Sequence, residues 1–217
     1  MKKERKSLQI TKTLLACGVA LAPWFFLLAI PQMLLRPGFD IRRLAISSLE
    51  LGDLGWIQRV NFLVTGLLAI LCAVGIKRVF RGGKGEKWAP ILIGMYGLGI
   101  VNDAIFAPPV GNGFPPGAPQ GMPTSYGISG TLHSIGFMVA FLSLIIAMFV
   151  FARRFASLKQ KGWKLYSITS GVLSPLLVFL GMSVPGAPGI SFALASAVAF
   201  GWLSIVSKRL IKEVSQS

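Results

Sequence analysis

The sequence predicts an all-α polytopic membrane protein, a six-transmembrane-helix bundle with both termini cytoplasmic. Three observations predict it. Six stretches stay apolar for the roughly 20 residues that a bilayer-spanning helix needs. Charged residues make up 13% of the 217-residue chain and the mean hydropathy is +0.69, where a soluble domain carries about 25% charge. The positive charges also collect on alternate connections between the apolar stretches, the pattern of the positive-inside rule.

The spans follow in order at residues 14–35, 57–76, 88–106, 128–152, 165–184 and 189–207. The last two are separated only by Pro185-Gly186-Ala187-Pro188-Gly189, which reads as a tight turn. Lipid offers no hydrogen bonds to the backbone, so each span is expected to be a helix. Pro23, Pro31 and Pro175 are expected to bend theirs. Residues 1–217 form a single domain, with no soluble module.

The chain carries 22 Lys and Arg, and all but Arg36, Arg42, Arg43 and Arg59 fall in the two tails or in the second–third and fourth–fifth connections. That side is assigned to the cytoplasm, and the chain to a bacterial or archaeal cytoplasmic membrane. A net charge of +15 on a soluble chain would suggest nucleic acid. Here its distribution points to topology and anionic membrane lipids, and no nucleic-acid partner is expected. Cys17 and Cys72 fall in the cytoplasmic halves of their spans and read as small buried thiols. Almost no apolar run precedes Cys17, so it is not a lipoprotein cleavage site.

The side opposite the termini carries the unusual material. The first outer connection, 36–56, has charges of both signs on an amphipathic run of Ile41, Leu44, Ile46, Leu49 and Leu51. It is expected to lie as an interfacial helix or turn. The second, 107–127, has no charge and six prolines, and reads either as a lid or binding loop or as a spacer.

Ionisable groups at membrane depth are costly and mark functional sites by default. His133 is the single histidine, within a stretch from 104 to 152 that holds no Asp, Glu, Lys or Arg. It belongs to a stripe of Ser129, His133, Gly136, Ala140, Ser143 and Ala147 at helical spacing. Such a stripe either packs against a neighbouring helix or lines an outer cavity. Gln58, Asn61 and Thr65 share a face of the second span, and Tyr96, Gly99 and Asp103 a face of the third. Asp103 either orients His133, as carboxylates do for catalytic histidines, or pairs with Arg42, Arg43 or Arg59 in a structural clasp. The expected catalytic pair is His133 with Asp103, and the expected ligand-binding residues are Asn61, Gln58, Arg42, Arg43 and Ser129. No cofactor or metal is expected. One histidine excludes bis-histidine haem, the cysteines lie at the wrong depth for a zinc site, and no phosphate-binding glycine loop occurs.

The function expected is a small-ligand or lipid-headgroup site on the outer side. The alternatives are a membrane-embedded enzyme acting on a lipid-like substrate and a proton-coupled transporter, for which inverted repeats are not evident.

Several of these residues also form a recognisable pattern. Arg42 and Arg43 precede Ser47-Ser48-Leu49, then Gly52, Gly55, Trp56, Gln58, Asn61 and Phe62 lead into a span with Gly66. Asp103, Phe106, the loop Gly113-Phe114-Pro115-Pro116-Gly117 and Gly130-Thr131-Leu132-His133 follow. The chain resembles, over nearly its whole length, the prokaryotic six-helix membrane family catalogued as domain of unknown function 998. It departs from the family pattern in placing the acidic residue before the Phe. The resemblance implies the six-helix fold and an emphasis on the outer side, and brings no activity with it.

Overall fold

The computed structural model describes residues 2–183 and 188–216. Helix α1 spans Lys2–Leu35, α2 Gly55–Val79, α3 Trp88–Ile105, α4 Gly127–Ser157, α5 Lys161–Ser183 and α6 Pro188–Gln216. All six are long and apolar enough to cross a membrane, and the chain is read here as an integral membrane protein. Residues 185–187 of the expected turn lie outside the described residues, and α6 opens on Pro188, a position where the missing N–H costs nothing.

Several helices overrun their apolar stretches. α1 begins at Lys2 rather than at 14, and α6 runs to Gln216 rather than to 207. These extensions are rich in Lys, Arg, Glu and Gln, which favour helix without marking a span. The α1 extension packs on the end of α2, where Arg78 donates to Thr11 Oγ1 and Ser7 Oγ, both at 2.9 Å.

Each helix packs beside its neighbour in sequence, and α6 returns to α1, closing a ring. The closest crossings are made at glycines, as expected where lipid gives no hydrophobic drive and backbones must approach. A Cβ on Gly97 of α3 would sit 2.7 Å from the Gly66 carbonyl of α2, and one on Gly99 would sit 2.6 Å from the Gly136 carbonyl of α4. α3 is therefore clamped on two faces. Below His133, the small-residue stripe of α4 is a packing face: Gly136, Ala140, Ser143 and Ala147 are all buried. Phe200 of α6 meets Phe25 of α1 and Tyr96 of α3, and Phe25 also meets Phe62 of α2. These four rings form an aromatic layer across the bundle.

The end of the bundle away from the termini, the loop end, is capped. The expected interfacial segment is instead tucked onto the bundle as a 3₁₀ helix, Ile46–Glu50, against α1, α2 and α6. Leu44, Ile46, Leu49, Glu50 and Leu51 are buried there. Arg36 holds it, donating from Nη1 to the Leu49 carbonyl and from Nη2 to the Leu51 carbonyl at 2.6 Å, with its guanidinium over the Phe114 ring. The proline-rich loop is folded on itself through Asn112 N–H to the Gly121 carbonyl (2.6 Å) and Gly113 N–H to the Pro119 carbonyl (3.0 Å). Its Phe114 enters a small apolar cluster with Leu44 and Leu51. The two connections thus make one cap, in which the loop is folded and packed onto the end of the bundle.

Candidate functional site beneath the cap

Three helix faces and the capping 3₁₀ helix meet just below the loop. From α2 come Gln58, Asn61 and Thr65, all 0% exposed. Steps of three and four residues place them on one line, and the line faces inward because the opposite face is Trp56, Arg59 and Leu63, all exposed. Gln32 of α1 donates to Gln58 Oε1 at 3.1 Å, and Asn61 Nδ2 donates to the Phe25 carbonyl at 3.0 Å and more loosely to Gln58 Oε1 at 3.3 Å.

From α3 come Tyr96 and Asp103, both buried. The Asp103 carboxylate lies against Gly136, whose missing side chain makes the room for it. Asn102 Nδ2 reaches Asp103 Oδ1 at 3.4 Å and donates to the Leu132 carbonyl at 2.8 Å, tying α3 to α4.

From α4 comes His133, six residues inside the helix start and so about 9 Å below it. Its Nδ1 is 2.8 Å from the Phe106 carbonyl. A carbonyl only accepts, so Nδ1 carries the proton and Nε2 is left as the basic nitrogen of the neutral ring. Ser129, also on α4, is exposed and donates to the Ala107 carbonyl at 3.0 Å, which fastens the start of the loop.

The carboxylate nearest His133 is Glu50, with Oε1 at 3.7 Å from Nδ1. Asp103 was the expected partner. Among the described residues its carboxylate makes no ion pair with His133, because it turns toward Gly136, one turn below. The arginine clasp is not made either. Arg42 and Arg43 close on Asp40 within their own turn, at 3.0 and 3.4 Å, and their side chains are exposed. Backbone geometry explains this: the Arg42 N–H also donates to Asp40 Oδ1, so the pairing is local. Arg42 holds the Asp40 carboxyl down to about 2. Gln58, Asn61, Asp103 and His133 are thus brought to one buried zone. Ser129 sits at its rim, and Arg42 and Arg43 stay outside.

Glu50 is the member of this buried zone that sequence reasoning missed. It is 1% exposed. Burial, and then the charge of Asp103, push its carboxyl up to about 9, against a weaker opposite pull from Arg59. The signal was its place between Leu49 and Leu51, inside an apolar run where a carboxyl is costly.

Neither of two open hollows touches these residues. One, of about 480 Å³, lies at the terminal end between Glu4, Thr11, Arg78 and Glu213. The other, of about 360 Å³, lies on the flank of α1 between Pro23 and Pro31. Among the described residues no group of three His, Cys, Asp or Glu side chains is placed to hold a metal ion.

A family described as "Protein of unknown function (DUF998)" matches residues 19–208. Comparison with curated proteins and with solved structures returns no match.

Proposed function

Starting from the premise that the chain belongs to the DUF998 family, we propose that it is a cytoplasmic-membrane protein whose outer end encloses a site for a small ligand or lipid headgroup. In this reading both termini are cytoplasmic and the cap faces outward, an orientation supported by the placement of Lys and Arg. A reporter fused after Ser217 is expected to be active in the cytoplasm and one inserted near Gly117 outside. The opposite labelling would reject the orientation.

One observation carries the ligand site. Beneath the cap, Glu50 Oε1 and Oε2, Asn61 Oδ1, Thr65 Oγ1, Tyr96 OH and Gln58 Nε2 are buried without hydrogen-bond partners. Each such atom costs about 1–3 kcal/mol. A cluster of them is tolerable where an occupant satisfies several at once, and anomalous in a purely structural core. The ligand residues are His133, Asp103 and Glu50, with Asn61 and Gln58 beside them. Membrane lipids are the partners this reading favours, since the zone lies near the loop end of apolar, membrane-spanning helices. Native mass spectrometry of the purified protein should find a bound small molecule or lipid, depleted in His133→Ala. Equal occupancy in both proteins would count against this site.

The His133–Glu50 approach favours a second reading, an enzyme acting on a lipid-like substrate with Nε2 of His133 as proton acceptor. Turnover abolished in His133→Ala with binding retained would select it. The aromatic layer of Phe25, Phe62, Tyr96 and Phe200 argues against a transport path onward from the site.

A further inference from the structure

The unpartnered atoms beneath the cap are unequal in kind. Glu50 Oε1 and Oε2, Asn61 Oδ1 and Gln32 Oε1 can only accept when Glu50 is ionised, Thr65 Oγ1 and Tyr96 OH can do either, and Gln58 Nε2 can only donate. Two acidic side chains, Glu50 and Asp103, sit among them at 1% and 3% exposure. No Lys or Arg is fully buried with them: Arg36 is half-buried and spent on the Leu49 and Leu51 carbonyls, Arg59 is exposed on α2, and Arg42 and Arg43 are spent on Asp40. An enclosure rich in acceptors, bearing acid and lacking a cation is complementary to a positively charged donor. A divalent metal needs ligands gathered more closely than these. An ammonium group brings one positive charge and three N–H donors.

We propose, on the basis of the ligand-site reading above, that the Glu50–Asp103 enclosure takes a primary ammonium group, presented by a phospholipid headgroup or by a soluble amine. An ammonium beside these carboxyls favours their ionised form and gives the orphaned acceptors their missing donors. Arg59 favours the lipid as the source. It is exposed on the first turns of α2, makes no ion pair among the described residues, and lies near enough for its charge to act on Glu50. In this reading Arg59 receives the phosphate that follows the ammonium in an ethanolamine headgroup.

The test is a titration of the purified full chain in mild detergent with phosphatidylethanolamine, phosphatidylglycerol and free ethanolamine, followed by thermal unfolding. Phosphatidylethanolamine should raise the unfolding temperature and phosphatidylglycerol should not. Glu50→Gln and Asp103→Asn should each weaken the apparent affinity about tenfold or more, the loss expected for a hydrogen bond to a charged group. Arg59→Gln should weaken the lipid and leave ethanolamine unaffected. An equal shift by ethanolamine, lost in Glu50→Gln, upholds the ammonium and assigns it a soluble source. A shift by phosphatidylglycerol alone, abolished in His133→Ala, overturns the ammonium while the ligand site stands. A phosphatidylethanolamine shift untouched by either acid variant overturns it too, and no shift with any of the three overturns both readings. Should Glu50→Gln fail to fold, Asp103→Asn and the charge-keeping Glu50→Asp carry the comparison.

Discussion

The two halves of this bundle treat buried polar groups in opposite ways. Toward the termini, nearly every one is paired. Ser204 accepts from the Ala22 N–H at 3.1 Å and donates to the Gly18 carbonyl at 3.0 Å. Trp202 Nε1 donates to Ser167 Oγ, and the Cys72 thiol lies 3.3 Å from Ser207 Oγ. At the loop end, two buried carboxyls, a histidine and several amide and hydroxyl groups share too few partners. Paired groups lock helices together. Unpaired groups at equal burial lower stability, and they are kept where something else is meant to bind. The difference is the ground on which the loop end is proposed as the binding end.

The largest effect expected of the comparison is in the packed half. Gly18 of α1 lies against Cys72 Sγ and Ser207 Oγ, short side chains with no room to swing aside. Gly18→Val should cost about 3 kcal/mol or prevent folding, as overpacking at a closed contact does. At the loop end, Gly136→Ala meets the ends of Asp103 and Asn102, which can move, and should cost about 1 kcal/mol. Equal losses, read by thermal unfolding in detergent, would erase the contrast between the halves.

Next comes the pairing itself. Ser204→Ala removes two hydrogen bonds that tie α6 to α1, so a loss of about 1–3 kcal/mol is expected. Glu50→Gln keeps the shape and removes an ionisable group that burial disfavours. It should leave stability unchanged or raise it at neutral pH and above. A Glu50→Gln loss as large as that of Ser204→Ala would mean that Glu50 is a structural element.

The comparison also carries a slope with pH. The folded protein holds the Glu50 proton up to about 9, above the ordinary 4.5. The stability from this group is therefore full below about 4.5 and is lost as pH rises through about 9. Unfolding temperature against pH should fall across that window in the wild type and fall less steeply in Glu50→Gln. Identical slopes would show that Glu50 does not carry its proton differently in the two states.

The bundle was legible in the sequence because lipid leaves a chain few options: apolar length and the placement of Lys and Arg together give spans and their order. The inward faces of α2 and α3 were legible too, since helical spacing ties Gln58 to Asn61 and Thr65, and Asp103 to Tyr96. Glu50 was not, because a connection has no periodicity from which to tell a side chain that points inward from one that points to water. For the same reason Arg42 and Arg43 looked available to Asp103, although Asp40 two and three residues away captures both. The overrun of α1 and α6 was hidden by their charge, which erases the apolar signal while favouring helix.

The central claim is that the buried polar zone around His133, Asp103 and Glu50 is a binding site and not a structural clasp. Parallel thermal unfolding and native mass spectrometry of wild type and Glu50→Gln, prepared from the same membranes, test it most directly. The account predicts a bound species on the wild type, its loss in Glu50→Gln, and an unfolding temperature for the delipidated variant equal to or above that of the delipidated wild type. No bound species on the wild type, together with a clear drop in the variant's unfolding temperature, would contradict it.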